Sequence, residues 1–282
     1  MKQIVVISGK GGTGKTITTA SFGTLAKNKI LCDCDVDAAD LYLLLHPTIL
    51  ETHSFKGGQK ATIDSSLCTK CGECRNVCRF DAIPHTFVVD PTSCEGCGIC
   101  PYVCPVDAIK MTDNISGEWF VSETKYGPMI HAKLGIAEEN SGKLVSVIRE
   151  VSKRLALEKK ADYVIIDGPP GIGCPVIAAL TGVDLALIVT EPSLSGIRDL
   201  ERVAAIAKHF GIKTNCVINK YDINYENSQA IEKWCKGENI SVIGKIPFDK
   251  KIVEALVNGI PAVEYAESPA TIEIRKIWEK LT

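Results

Sequence analysis

Eight of the thirteen cysteines form two groups of four with identical spacing, and this repeat constrains the middle of the chain. The groups are Cys68, Cys71, Cys74 and Cys78, then Cys94, Cys97, Cys100 and Cys104. Both read C-x2-C-x2-C-x3-C, the spacing with which thiolates hold [4Fe–4S] clusters. Zinc is the main competitor, but its sites usually use two cysteine pairs separated by a longer spacer. The spacing therefore favours two iron–sulfur clusters.

The repeat extends beyond the cysteines, because Cys68–Ile83 and Cys94–Ile109 end in the similar sequences FDAI and VDAI. A duplicated half-domain, each half too small to fold without its metal, is what a two-cluster ferredoxin requires. We expect a small inserted α+β ferredoxin domain at residues 59–113. The remaining residues, 1–58 and 114–282, would form the other domain.

Outside this insert, short β-branched runs alternate with longer amphipathic stretches, which predicts an α/β fold with a mostly parallel sheet flanked by helices. The rhythm breaks between about Glu51 and Gly127, where Lys56–Gly58 and Asp113–Gly117 look like turns. Predicted strands are Gln3–Ser8, Lys29–Asp33, Asp162–Asp167, Asp184–Thr190, Lys213–Asn219 and Ser241–Ile246. The clearest predicted helices are Ser141–Lys159, Ser195–Phe210 and Asn224–Lys236.

Composition and charge indicate which partners the protein has and where in the cell it is found. A net charge of −2 gives no basic footprint for nucleic acid, so no nucleic-acid partner is expected. No apolar run approaches the roughly 20 residues that span a bilayer. Because Met1–Ser8 enters a strand directly, we expect no signal peptide. With cysteines at metal-ligand spacing, a reduced cytoplasmic location is the expectation.

The first strand leads into a glycine-rich loop, Gly9–Thr16, that is typical of a phosphate-binding site. Backbone N–H groups of Gly11, Gly12, Thr13 and Gly14 would point at phosphate oxygens. Lys15 would reach the β- and γ-phosphates, and the Thr16 hydroxyl would ligate Mg²⁺. The following helix would add the positive end of its dipole.

The second lysine in this loop, Lys10, resembles the deviant Walker A motif of the MinD/ParA superfamily, which includes Mrp proteins and the nitrogenase iron protein. The resemblance implies an ATPase in which Lys10 crosses a dimer interface to the partner's nucleotide. The active unit would be an ATP-sandwich dimer, formed with a second copy or with a paralogue.

Further residues outside 51–127 carry the same resemblance. Asp35, in Asp33–Asp37, would orient the attacking water in the first switch. Asp167 ends an apolar Walker B strand and would hold Mg²⁺ through water, and Gly168–Gly171 resembles the second switch. The family's two base-recognition segments match Asn219, assigned to adenine, and Pro247 with Asp249.

Two-cluster ferredoxins share their ligands between the two halves of the repeat. The first cluster would therefore bind Cys68, Cys71, Cys74 and Cys104, and the second Cys94, Cys97, Cys100 and Cys78. One departure is Arg79, which follows Cys78 where the pattern favours proline, as at Pro105. This changes no ligand.

Cys174 and the C-terminal helix can each be interpreted either as structural or as functional. Cys174 follows Asp167 at the spacing of a bridging-cluster ligand in the nitrogenase iron protein, but burial as an ordinary cysteine is favoured. At the C-terminus, Ile274, Ile277, Trp278 and Leu281 share one helical face. We expect that face to pack on the sheet, with membrane association as the less favoured alternative.

The sequence thus resembles MinD-superfamily ATPases with an inserted two-cluster ferredoxin domain. The favoured function is nucleotide-gated electron transfer to or from a redox partner protein. One alternative is an Mrp-like carrier that treats clusters as cargo, and another is a redox-sensing, MinD/ParA-like positioning ATPase. The required cofactors would be ATP, Mg²⁺ and two [4Fe–4S] clusters.

Overall fold

The computed structural model describes residues 1–135, 138 and 140–282, which divide into two compact units. The first unit comprises Met1–Thr52, Trp119–Lys133 and Ser141–Thr282, and the second comprises His53–Glu118 and Leu134–Asn140. Residues 59–113 fall within the second unit. In the described part of the chain, no helix has the length and hydropathy needed to cross a bilayer.

The strands form one sheet with the order β3-β4-β5-β2-β6-β1-β7-β8-β9 once they are numbered along the chain. Their bounds are Lys2–Ser8 (β1), Lys29–Asp33 (β2), Thr48–Ile63 (β3), Ile109–Thr124 (β4), Gly127–Leu134 (β5), Tyr163–Pro170 (β6), Leu185–Thr190 (β7), Thr214–Asn219 (β8) and Ser241–Ile246 (β9). Strands β5, β2, β6, β1, β7, β8 and β9 pair in parallel. The predicted mostly parallel sheet is confirmed.

Helices connect the parallel strands, as the alternating pattern predicts. Their bounds are Lys15–Leu25 (α1), Leu41–Leu45 (α2), Glu73–Val77 (α3), Ile99–Tyr102 (α4), Ser141–Glu158 (α5), Cys174–Leu180 (α6), Leu194–His209 (α7), Tyr225–Gly237 (α8), Lys250–Val257 (α9), Ala262–Tyr265 (α10) and Pro269–Leu281 (α11). A single 3₁₀ turn, Tyr221–Ile223, follows β8. The six predicted strands and three predicted helices match observed elements to within one or two residues, apart from β6, which runs on to Pro170.

The turns predicted in the cysteine-rich region are wrong, because Lys56–Gly58 lies inside β3 and Asp113–Gly117 lies inside β4. Gly57 is present for packing, since a Cβ there would lie 2.6 Å from Ser116 Oγ. Glycine within a strand often marks such a close approach and not a chain reversal. Both strands are largely exposed, so they lack the apolar alternation that sequence reasoning uses to find strands.

The C-terminal helix α11 packs into the core of the first unit, as predicted. Ile274, Ile277 and Leu281 are almost fully buried, and the ring of Trp278 lies 5.3 Å from that of Phe22. A Cβ on Gly244 of β9 would lie 2.2 Å from Ile277 Cγ1, so the helix sits directly on that strand. Its apolar face is thus covered by the protein itself.

Candidate functional site

Glycines shape the loop between β1 and α1, some through their backbone conformation and some through close packing. Gly12 and Gly14 have φ of +79° and +96°, a left-handed conformation that favours glycine. A Cβ on Gly9 would lie 2.4 Å from the Asp199 Cβ, so helix α7 packs tightly against the start of the loop. Above Gly11 and Gly12 there is open space, which leaves the loop backbone accessible to a phosphate.

Lys15, the first residue of α1, is held between two carboxylates, one just after β2 and one within the neighbouring strand β6. Its Nζ lies 3.0 Å from Asp167 Oδ1 and 3.3 Å from Asp35 Oδ2. Burial alone would lower the pKa of this ammonium, but Asp167, Asp35 and Asp33 outweigh burial and raise it. Lys15 is therefore charged, and a phosphate would compete with the carboxylates for it.

Two buried oxygens at the site lack a hydrogen-bond partner among the described residues: Asp167 Oδ2 and Thr13 Oγ1. The other oxygen of Asp167, Oδ1, accepts hydrogen bonds from Lys15 Nζ and from Thr19 Oγ1, the latter at 2.9 Å. Buried oxygens are normally paired, so an unpaired one calls for a missing partner. A hydrated Mg²⁺ beside Asp167 and a phosphate beside Thr13 fit this requirement.

The two acids after β2 have different surroundings. Asp33 accepts hydrogen bonds from the backbone N–H groups of Asp35 (3.0 Å) and Leu41 (3.3 Å), so it fixes the path of the loop. Burial and the nearby Asp167 raise the pKa of Asp33 well above its ordinary value. For Asp35, burial also raises the pKa, although Lys15 opposes this. Sequence reasoning had assigned no role to Asp33.

Lys10 is bound within its own chain. Its Nζ lies 2.6 Å from Glu191 Oε1 and donates to Ser195 Oγ at 2.9 Å and Ser193 Oγ at 3.2 Å. Although partial burial of Glu191 opposes the shift, Lys10 and Lys220 lower the pKa of its carboxyl. Glu191 directly follows β7, and strand-end acids are a signal by which it could have been found. Any role of Lys10 across an interface requires this ion pair to open.

The predicted base-recognition residues make contacts of their own in the structure. Asn219 Nδ2 donates to the carbonyl oxygen of Thr13 at 2.8 Å, and its Oδ1 accepts from the Lys220 N–H at 3.0 Å. Asp249 caps helix α9 by accepting from the Lys251 N–H at 2.9 Å. Pro247 lies between β9 and α9 and has no side-chain polar group. Asn219 therefore joins the phosphate loop, whereas Asp249 acts as a helix cap.

In the second unit, the cysteines line two separate cavities. Cys68, Cys71 and Cys74 line one cavity together with Cys104 from the other half of the repeat. The second cavity is lined by Cys94, Cys97, Cys100 and Cys78. Each cavity thus takes three cysteines from one group and the fourth from the other.

The backbone repeats itself in the same crossed manner. Asp64 N–H donates to Ala108 O at 2.8 Å, and its counterpart Asp90 N–H donates to Ala82 O at 2.8 Å. Three pairs of equivalent residues have positive φ: Lys70 with Gly96 (58° and 64°), Gly72 with Gly98 (89° and 74°), and Asp81 with Asp107 (52° and 51°). The two halves of the sequence repeat therefore fold alike.

The thiols of the two groups range from buried to exposed. Cys74 and Cys100 are buried, whereas Cys71 and Cys97 are exposed. Burial raises the pKa of the Cys74 thiol and raises that of Cys100 to about 11. Both thiols are protonated at neutral pH, so metal binding would displace their protons. Within the described residues, no three His, Cys, Asp or Glu side chains converge to hold a single metal ion.

The remaining cysteines lie in the first unit. Cys32, Cys34, Cys216 and Cys235 are buried, as expected for small apolar side chains, and Cys32 Sγ lies 3.5 Å from Cys34 Sγ. Cys174 is exposed at the start of α6, so the expectation of a buried residue is wrong there. Its place in the seven-residue helix α6 gives no support for a bridging cluster.

A glycine-rich loop between strand β1 and helix α1, whose lysine contacts Asp167 of β6 and Asp35 just after β2, defines a P-loop nucleotide-binding protein of the MinD/ParA type of ATPase. The model of the CobQ/CobB/MinD/ParA nucleotide-binding domain matches residues 4–262, and the chain belongs to that family. The matched residues include the cysteine-rich region.

The chain is also similar to individual proteins. The chain is 34% identical to an uncharacterized protein of Methanocaldococcus jannaschii, MJ0578, over 99% of this chain and 96% of that one. It is 33% identical to an iron–sulfur cluster carrier protein of Pyrococcus abyssi, over 43% of this chain and 45% of that one. The septum site-determining protein MinD of Pyrococcus horikoshii, solved with Mg-ADP, has a similar fold, with a TM-score of 0.60, 20% identity and coverage of 99% and 95%.

We expect Lys15→Ala to abolish measurable MgATP binding, because the loop would lose the buried ammonium that lies at the start of α1. Lys27→Ala, which removes an exposed lysine from the same region, is the matched control and should bind normally. Equilibrium titration calorimetry gives both affinities, and a thermal melt checks the fold. If Lys15→Ala kept its affinity for MgATP, the loop would not be the phosphate-binding site.

Proposed function

We propose that this protein is an Mg²⁺-dependent nucleotide-hydrolysing switch coupled to two [4Fe–4S] clusters, and that it transfers electrons to or from a partner protein. The observation that carries the proposal is the crossed lining of the two cavities by cysteines in a chain that also has a phosphate loop. Residues 59–113 would be the ferredoxin domain, and the rest the nucleotide domain.

The cysteine arrangement supports clusters over zinc. Zinc needs four ligands within about 2.3 Å of one ion, whereas the thiolates of a [4Fe–4S] cluster each bind a different iron. Four cysteines line each of the two cavities, and their C-x2-C-x2-C-x3-C spacing fits the cluster requirement. When bound, such clusters accept and release single electrons. Ala108 N–H also donates to Cys104 Sγ at 3.3 Å, and hydrogen bonds to ligand sulfur tune cluster potential.

Three groups support nucleotide binding: the ammonium of Lys15 and the unpaired buried oxygens Thr13 Oγ1 and Asp167 Oδ2. Lys15 would leave its carboxylates to bind the β- and γ-phosphates, with the Gly11–Gly14 N–H groups around them. Thr16 and Asp167 would hold Mg²⁺, Asp167 through water. Asp35, freed from Lys15, would orient the attacking water. ATP is the nucleotide that the family resemblance implies.

Lys10 would require a dimer if it acts as the early lysine of the family's loop does, because that lysine contacts the nucleotide of the partner subunit. In this structure Lys10 is paired with Glu191, and that pair is partly exposed, so its contribution is modest. A γ-phosphate presented by a second subunit would compete well, because it carries more charge than one carboxylate. The partner subunit would be a second copy or a paralogue.

A second candidate function is cluster delivery, favoured by the partial similarity to an iron–sulfur cluster carrier. The chain supplies four thiols to each cavity, which suits permanent clusters better than cargo. A positioning ATPase with a redox sensor is the third candidate. The sequence supported this candidate only through the C-terminal helix. The apolar face of that helix is buried in the core, so it is not available to a membrane.

Asp35→Ala should retain MgATP binding but slow hydrolysis by on the order of 100-fold or more, because the attacking water loses its orienting group. Asp37→Ala removes an exposed acid two residues away and serves as the control. Phosphate release under saturating MgATP measures the effect. Normal turnover in Asp35→Ala would assign the catalytic role to another residue.

The crossed ligand sets predict a specific pattern of iron loss. In a Cys68→Ala/Cys71→Ala variant, iron should fall from about eight to about four atoms per chain. Adding Cys104→Ala should cost nothing further, because that ligand serves the cluster already lost. Adding Cys78→Ala should lower the iron again and change the EPR signal of the remaining cluster. Loss of the remaining iron on Cys104→Ala would contradict the crossed arrangement, and Cys216→Ala is the control.

An anaerobic EPR-monitored redox titration tests the coupling itself. We expect the midpoint potential of at least one cluster to differ between nucleotide-free protein, MgADP and a non-hydrolysable MgATP analogue. A shift of about 60 mV corresponds to a tenfold change in a one-electron equilibrium. The Lys15→Ala variant, which should not bind nucleotide, must show no shift. Two clusters indifferent to nucleotide in the unaltered protein would argue against gating.

A further inference from the structure

The two cysteine-lined cavities are alike in their ligands but differ in what surrounds those ligands. The first cluster site is lined by Cys68, Cys71, Cys74 and Cys104, and the second cluster site by Cys94, Cys97, Cys100 and Cys78. The sequence repeat gives each residue near one site a counterpart near the other, so the two surroundings can be compared position by position.

The first difference is a hydrogen bond to a ligand sulfur. At the first site, Cys104 Sγ accepts from the Ala108 N–H at 3.3 Å. The counterparts at the second site are Cys78 and Ala82, and among the hydrogen bonds of the described residues the Ala82 N–H makes no such bond to Cys78. A hydrogen bond to sulfur stabilises the reduced, more negative state of a cluster. It therefore raises the reduction potential of the first site relative to the second.

The second difference is a carboxylate. Glu95, directly after Cys94, lines the second cavity, whereas its counterpart Thr69 lines the first. Apart from the cysteines, Glu95 is the one ionisable residue among the described residues that line either cavity. A cluster gains negative charge when it accepts an electron, so a nearby carboxylate opposes its reduction.

The cations next to the ligands do not reverse this effect. Lys70 precedes Cys71 at the first site, and Arg79 follows Cys78 at the second. Both side chains belong to exposed residues. Each site thus has one such cation, and their contributions largely cancel in the comparison.

The third difference is the apolar lining, which is larger at the second site. Its larger apolar side chains are Phe80, Ile83, Val89, Ile99 and Met111, whereas those of the first site are Phe87, Val106 and Ile109. Apolar surroundings disfavour the more highly charged state of a buried group, which here is the reduced cluster. This difference acts in the same direction as the other two.

From these three differences we propose that the two clusters have unequal potentials, and that the cluster at the first site is the higher and is reduced first. The inference rests on the proposed function in that both sites must hold a [4Fe–4S] cluster. One electron would then pass from the second cluster, which is oxidised, to the first, which is reduced, and no covalent bond changes. The redox partner of the proposed function supplies that electron. The first cluster would therefore store it.

The test is an anaerobic EPR-monitored redox titration of the nucleotide-free holoprotein. We expect two midpoint potentials at least about 60 mV apart, which corresponds to a tenfold difference in electron affinity. Because reduction of one cluster also hinders reduction of the other, single-cluster variants assign the potentials. The cluster that remains in Cys68→Ala/Cys71→Ala should titrate at a lower potential than the one that remains in Cys94→Ala/Cys97→Ala.

Two further variants keep all eight ligands and so test the proposal even if a single-cluster variant fails to fold. Glu95→Gln should raise the lower of the two potentials by about 30 mV, a roughly threefold change in electron affinity. Thr69→Glu should lower the higher potential by a similar amount. Glu118→Gln removes an exposed acid of the same unit that lines neither cavity, and it should move neither potential.

The outcomes separate this inference from the proposed function. Equal potentials in the two single-cluster variants, or a lower potential for the first cluster, would overturn the order of reduction while leaving two clusters in place. Unchanged potentials in both Glu95→Gln and Thr69→Glu, at unchanged iron content, would overturn it equally. An unaltered protein that holds well below about eight iron atoms per chain after reconstitution would instead remove the proposed function.

Discussion

The ion pairs of Lys15 with Asp167 and Asp35 organise the nucleotide domain. One ammonium, buried at the start of α1, lies between the carboxyl ends of β2 and β6 and balances their acids. Removing one partner of a buried pair leaves an uncompensated charge, which is costly. The arrangement therefore fixes the loop after β2, the end of β6 and the phosphate loop in one geometry. It also makes that geometry sensitive to any anion that draws Lys15 away.

This sensitivity gives the switch a physical basis. A phosphate that takes Lys15 leaves Asp35 and Asp167 without their cation, and Mg²⁺ and water are the natural replacements. Lys10 is similarly paired with Glu191, and a competing anion would have to replace that carboxylate to bind Lys10. The chain runs from β2 through the cysteine-rich residues and back to β6, the two strands that carry these acids. Under the proposed function, a change in nucleotide would act on the chain segments that lead into and out of the cysteine-rich region.

The cysteine unit obeys a different constraint. Its halves repeat in backbone conformation and in crossed hydrogen bonds, so each cavity depends on both halves. Each cavity takes one cysteine from the other half, so under the proposed function cluster binding would depend on the fold of the whole unit. The surrounding strands are largely exposed, and a small apolar cluster containing Cys74 and Cys100 forms the core. Under the proposed function, the bound clusters would add to this small core.

The sequence alone determined six parallel strands, the long helices, the phosphate loop and the cysteine groups, because each depends on local pattern: alternation of apolar runs, glycine positions and ligand spacing. It missed three strands: β3 and β4, because exposed polar strands with glycines resemble turns, and the parallel strand β5 at Gly127–Leu134. Tertiary structure alone decided that Asp33 fixes a loop, that Glu191 holds Lys10, and that Asn219 joins the phosphate loop. Those contacts join residues far apart in the chain, and no local pattern encodes which strand ends become neighbours.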